Sequence, residues 1–207
     1  MTDYEHHIFV SYRRSDDDWV RWTRDNFVRA LRSLLQPRLS RVKIYTDERI
    51  ETGSTWPHDL AQNHSRSRLL VALLSRDYFE SDWCCLELAL MHRRERLAKL
   101  RTADNTGGLI IPVVIDDGDC FPEAIKAMQP LPLHDFANPF MRSDSPKQEA
   151  LAELLHERLC PAIEHALGIV PKFDPAWERI AHKKFVKVFR IQSKSQITMP
   201  KLKLILR

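Results

Sequence analysis

The chain has 207 residues, 43% hydrophobic and 29% charged, which fits one ordinary globular domain with room for a short extension and excludes wholesale disorder. Five glycines and twelve prolines exclude collagen-like and Gly/Ser-linker classes, and no apolar run approaches the roughly 18 residues that a membrane helix needs. The net charge of +4 conceals an asymmetry: residues 171–207 hold ten Lys/Arg against only Asp174 and Glu178, whereas 1–170 are net acidic by four, so the basic character belongs to the tail.

The first strand expected is His7–Tyr12, short and β-rich. A helix follows over Asp16–Leu35, where Trp19, Trp22, Phe27, Leu31 and Leu35 recur at near-helical spacing and Ser15 or Asp16 supplies the N-cap. Val42–Asp47 is a second strand, and Pro57–Ser65 a short helix with proline in its first turn. Leu69–Leu74 and Leu109–Ile115 are continuous apolar runs, the pattern of strands buried on both faces. The helix between them, Asp82–Lys99, ends in Arg93, Arg94, Arg96 and Lys99, which complement its dipole. A weaker strand, Leu131–Phe136, precedes a final helix over Pro146–Leu167.

Alternating strands and helices predict a flavodoxin-like α/β fold: a five-stranded parallel sheet with helices on both faces, followed by a basic C-terminal extension. The expected division is 1–168 for the domain and 169–207 for the extension. In the extension Lys184–Ile191 and Lys201–Arg207 partly alternate apolar and basic residues, as in amphipathic strands or a hairpin. Docking of a partner protein or an upstream sensor is the favoured role, or the remnant of a longer chain. Nucleic acid is disfavoured, because the aromatics are too few for a stacking platform.

The start, MTDYEHHIFVSYRRS, is acidic and lacks a long apolar stretch, so no secretory signal is expected. Cys84, Cys85, Cys120 and Cys160 are too scattered for a disulfide framework and fit free thiols in a reducing, cytoplasmic compartment. The turn after the first strand has no GxGxxG, and there is no Walker A sequence and no HExxH. A dinucleotide fold, a P-loop nucleotidase and a metal centre are all disfavoured on that ground, and no cofactor is expected.

Parallel sheets place ligand sites at the carboxyl ends of their strands. Those ends carry Ser11-Tyr12-Arg13-Arg14, then Asp47 to Trp56, then Ser75 to Glu87. Trp83 and Glu87 are four apart and share a helix face. An aromatic wall beside a carboxyl raises its pKa by desolvation or braces a cationic ring. On spacing alone a core tryptophan beside a solvated glutamate fits better. Arg13 and Arg14 suit a pyrophosphate or plain solvent, and Tyr12 suits the core or a pocket wall. Asp47 suits an arginine, a ribose or a turn cap, Trp56 packing or the site, and Ser75 a ribose or the helix entry.

Taken in order, Phe9-Val10-Ser11-Tyr12, Tyr45-Thr46-Asp47, Thr52-Gly53-Ser54, Leu74-Ser75 and Ser81-Asp82-Trp83-Cys84-Cys85-Leu86-Glu87-Leu88 resemble a Toll/interleukin-1 receptor (TIR) domain over about residues 5–167. The resemblance implies either of two functions. Some members cleave the nicotinamide–ribose bond of NAD+, yielding nicotinamide with ADP-ribose or a cyclic isomer. They act as immune effectors or signal generators activated by self-assembly, and Glu87 and Trp83 match their catalytic glutamate and the tryptophan one turn before it. Others are non-catalytic adaptors working through homotypic TIR contacts. The resemblance also implies that the loop Glu48–Thr55 contacts neighbouring TIR domains. On the first reading NAD+ is substrate, and Ser11, Tyr12, Arg13, Arg14, Asp47, Trp56, Ser75 and Trp83 bind it around a catalytic Glu87.

Overall fold

The computed structural model describes residues 3–14, 16–47, 56–103, 105–116 and 121–196, with backbone alone for 56 and 192–196. The loop Glu48–Thr55, Ser15, Cys120, the Trp56 side chain and the segment 197–207 lie outside the described residues. Five parallel strands form one sheet in the order β2-β1-β3-β4-β5. They are β1 (His6–Tyr12), β2 (Ile44–Thr46), β3 (Ser67–Leu74), β4 (Ile110–Val114) and β5 (Leu131–Pro132). The flavodoxin-like expectation holds in strand number, direction and order.

The central pair β1 and β3 runs in register from His6–Ser67 to Tyr12–Leu73, and every β3 residue except Arg68 is buried. Of the two, β3 is the strand that read as a continuous apolar run, over Leu69–Leu74, as burial on both faces demands. The edges are shorter than expected. In β5 the second residue, Pro132, has no N–H to offer the ladder, and a turn follows at 134–136.

The helices are α1 (Asp17–Trp22), α2 (Arg29–Leu35), α3 (Trp56–Ser65), α4 (Asp82–Leu97), α5 (Glu123–Lys126), α6 (Pro146–Leu154), α7 (Cys160–Gly168) and α8 (Pro175–Gln196). A π-helical turn, Thr23–Val28, joins α1 to α2, and another, Leu155–Leu159, joins α6 to α7. Asp16 caps α1, its carboxylate accepting from the backbone N–H of Asp18 and Trp19. Trp22, Phe27, Leu31 and Leu35 meet Leu151, Leu155, Leu159 and Ile163 in the core between α2 and the α6–α7 pair. On the other side of the sheet α3 and α4 both pack against α8.

The expectation of an amphipathic strand over Lys184–Ile191 is overturned; its counterpart, Lys201–Arg207, lies outside the described residues. Residues 175–196 form one helix. Trp177, Ile180, Ala181, Phe185 and Val188 recur at spacings of three and four, and that stripe faces α3 and α4 while Lys183, Lys184, Lys187 and Arg190 face water. Local alternation in Lys184–Ile191 imitates a strand, but the longer 3.6-residue period decides. Among the described residues no helix is long and apolar enough to cross a membrane.

Arg94 also departs from expectation. It does not lie exposed as a dipole partner but is buried near the end of α4. Both of its terminal nitrogens donate to the Ser67 carbonyl at 2.9 Å, and its guanidinium lies 4.4 Å from the Trp177 ring centre and 5.0 Å from that of Tyr4. One cation therefore ties α4 to the start of β3, to the N-terminal segment and to α8.

Candidate active site

The carboxyl end of β1 and the residue after β2 meet α3 and the first turns of α4 around a cavity of about 250 Å³. β1 contributes Ser11 and Tyr12 and then the turn residues Arg13 and Arg14; Asp47 follows β2. After β3 the chain makes a short 3-10 turn, Arg76–Tyr78, before Ser81 opens α4 by accepting from the Cys84 N–H. That cap starts the helix so that Trp83 and Glu87, one turn apart, both reach the cavity.

Glu87 is 6% exposed. The Ser11 hydroxyl lies 2.5 Å from its Oε2 and 2.8 Å from the Tyr78 hydroxyl. Burial pushes the Glu87 carboxyl up to about 8, the nearby Asp47 adds to the rise, and the Ser11 bond and the Arg14 charge oppose it. Arg14 is partly committed already: its Nη1 donates to the Asp47 carbonyl and lies 3.3 Å from the Asp47 carboxylate. The Arg13 Nε is buried with no partner among the described residues. The Cys84 thiol faces the Tyr12 carbonyl at 3.5 Å and is pushed up to about 12 by burial, so it is no nucleophile here.

Trp83 is half-buried and stacks on Phe185 of α8. Behind Glu87, His64 is fully enclosed and donates its Nε2 hydrogen to the Glu87 backbone carbonyl at 2.9 Å. Burial drives that imidazole down to about 3, so it is neutral. Neither Phe185 nor His64 was expected at the site. Both are reached only through tertiary contacts, one from a tail with a strand-like pattern, the other from a short helix with no ligand spacing.

Ser11, Tyr12, Arg13, Arg14, Asp47, Trp83 and Glu87 come together. Ser75 stands apart: its hydroxyl caps the 3-10 turn, accepting from the Tyr78 N–H, and lines a second cavity of about 360 Å³ with Trp19 and Asp116. Tyr12 and Arg13 border both cavities. The β1 turn thus splits the strand-end edge in two.

The family model of the TIR domain matches residues 8–155. The chain belongs to the TIR domain family. Its match runs from β1 into the last turn joining α6 to α7 and stops short of α8. Among solved structures, this TIR domain is similar to the TIR domains of the activated Roq1 resistosome directly recognizing the pathogen effector XopQ, at 16% identity, covering 89% of this chain and 99% of that chain, with a TM-score of 0.36. A likeness that loose carries no argument; the family rests on the model match, and the fold on the sheet order.

Proposed function

We propose that this TIR domain cleaves the bond between nicotinamide and ribose in NAD+, releasing nicotinamide and leaving ADP-ribose or a cyclic isomer. The observation that carries the reading is the enclosed Glu87 carboxyl, facing a cavity walled by Trp83 and flanked by two arginines.

The chemistry needs one carboxylate. The C1′–N bond breaks with its electron pair moving onto the pyridinium nitrogen, which leaves as neutral nicotinamide. The ribose becomes oxocarbenium-like. A cationic ring entering the cavity favours the ionised form of Glu87, and the fixed carboxylate then faces the positive charge that develops at the anomeric carbon. Water adds to C1′ and releases a proton, or the adenine of the same molecule adds instead. Trp83 supplies an aromatic wall for the pyridinium. Arg13, whose buried Nε has no partner among the described residues, suits the pyrophosphate.

A cavity of about 250 Å³ takes the nicotinamide riboside end rather than a whole dinucleotide. The rest extends past Tyr12 and Arg13, which also border the Ser75 cavity. In biological terms the activity suits an immune effector or signal generator that turns on when TIR domains assemble and raise one another's local concentration.

The test is nicotinamide release from NAD+ by concentrated protein. Glu87→Gln and Glu87→Ala are expected to lose at least ~100-fold, about 3 kcal/mol in the barrier. Specific activity is expected to rise with protein concentration. No release even from crowded protein would leave the homotypic adaptor as the function.

A further inference from the structure

Four oxygen atoms lie in a row behind the carboxyl. Glu87 Oε2 meets Ser11 Oγ at 2.5 Å, Ser11 Oγ meets Tyr78 Oη at 2.8 Å, and Tyr78 Oη meets the Cys84 carbonyl oxygen at 3.2 Å. The row has three links. A carbonyl only accepts, and each hydroxyl carries one hydrogen, so the hydroxyls alone fill two links.

With Glu87 neutral, the acid proton fills the third. Glu87 then donates to Ser11, Ser11 to Tyr78, and Tyr78 to Cys84. With Glu87 ionised, the two remaining hydrogens are best used toward the charge: Tyr78 donates to Ser11 and Ser11 to Glu87. The link given up is the longest one, and the Cys84 carbonyl, inside α4, keeps its helical partner. Both hydroxyls therefore reverse when Glu87 changes charge.

We infer that Tyr78 is a positioning residue for the proposed cleavage: through Ser11 it supplies the outer hydroxyl that supports the Glu87 carboxylate, and it turns toward Cys84 when Glu87 is neutral. The consequence for turnover rests on the NAD+ reading; the relay itself does not.

Among the described residues the groups around Glu87 are Ser11 from β1, Arg13 and Arg14 from the turn after it, Tyr45 from β2 and Asp47 just beyond it, Tyr78 from the 3-10 turn, Cys84 from α4 and His64 from α3. α8 presents the uncharged Phe185 against Trp83. His64 is held down to about 3 and Cys84 up to about 12, and burial moves both tyrosines upward. A titration near neutrality in this cluster belongs to Glu87.

Hydrogen bonds to a charged acceptor are roughly twice as strong as neutral ones. Removing the phenol oxygen breaks two neutral links in the uncharged state, the weaker of them 3.2 Å long. In the ionised state it breaks the one link polarised by the carboxylate charge one oxygen away; the inference is that the polarised link outweighs the other two. In Tyr78→Phe the Glu87 midpoint is expected to rise by about one pH unit, which lowers kcat/KM about tenfold on the acidic side and leaves the alkaline plateau.

The decisive measurement is a carbon-13 carboxyl NMR titration of the full chain without NAD+, with Glu87→Gln identifying the resonance. Tyr78→Phe and Ser11→Ala should each raise the midpoint. Adding Tyr78→Phe to Ser11→Ala should change it no further, since the phenol acts only through Ser11. An unmoved or lowered midpoint in Tyr78→Phe overturns the inference, as does an undiminished effect in the Ser11→Ala background. Should Tyr78→Phe not fold, 3-fluorotyrosine at position 78 keeps the shape with a more acidic phenol. It should lower the midpoint, and no change counts against the relay. A wild type that leaves NAD+ intact sinks the catalytic reading while the relay is still measured; normal cleavage with an unmoved midpoint sinks the relay alone.

Discussion

Trp83 and Phe185 lie face to face, ring planes 15° apart and centroids 5.9 Å apart. The first belongs to α4 beside Glu87, and the second to the basic tail helix. Phe185 is fully buried and also meets the His64 ring at 5.9 Å. The indole that walls the site is thus backed by a residue beyond the stretch the family model matches.

Phe185→Ala should destabilise the fold by about 3–5 kcal/mol, the usual cost of emptying an aromatic core position. Nicotinamide release should fall with it, since Trp83 loses its support. Phe185→Leu should retain most of both. Urea unfolding and the nicotinamide assay check this; near-wild-type values for Phe185→Ala would mean that the stack contributes nothing.

Glu87 gives the fold a pH dependence of defined sign. In the unfolded chain its carboxyl titrates near 4.5, and in the fold at about 8. Between those values the folded state holds a proton that the unfolded state has lost, so stability falls as pH rises. The loss is complete above about 8 and amounts to a few kcal/mol, an order of magnitude only. Glu87→Gln cannot ionise. Its melting temperature should gain on the wild type across this window while activity is lost. Parallel melting curves from acid to alkaline pH would contradict the burial of this carboxyl.

Asp47 and Arg14 act on Glu87 in opposite directions. Asp47→Asn removes a negative neighbour and should shift the acidic limb of kcat/KM to lower pH by up to about one unit. Arg14→Gln should shift it upward. Both variants are expected to weaken substrate binding as well, so the limb position, not the rate, is the measurement. Shifts of the same sign would show that charge is not what these residues contribute.

The sheet was legible because β3 and β4 carry continuous apolar runs and β1 a short β-rich one, a pattern forced by helices on both faces. The edge strands were also placed, but read longer than they are, since two or three ladder residues leave little periodicity to set their ends. That Trp83 and Glu87 share one face early in α4 was legible from a cap and a helix after a strand end. Spacing alone read Glu87 as solvated, and the TIR resemblance singled the pair out; the burial of Glu87 comes from tertiary packing. Ser75 falls in the neighbouring cavity because the strand-end rule names an edge of the sheet but not the side of the β1 turn on which a residue lies. Arg94 looked like a surface cation; only its aromatic neighbours from both ends of the chain reveal a buried one. Tyr78 and His64 could not be read at all, as each matters through an atom distant in sequence.

The Arg94 cage has a consequence for biosynthesis. A ribosome delivers α4 well before α8, so a nascent chain carries Glu87 while Arg94 still lacks Trp177 and Trp83 still lacks Phe185. The buried guanidinium and the aromatic wall are completed only when the last helix emerges and docks. Under the proposed chemistry, a chain whose α8 has not yet docked holds Glu87 in an unfinished site and is expected to release nicotinamide more slowly than the finished one.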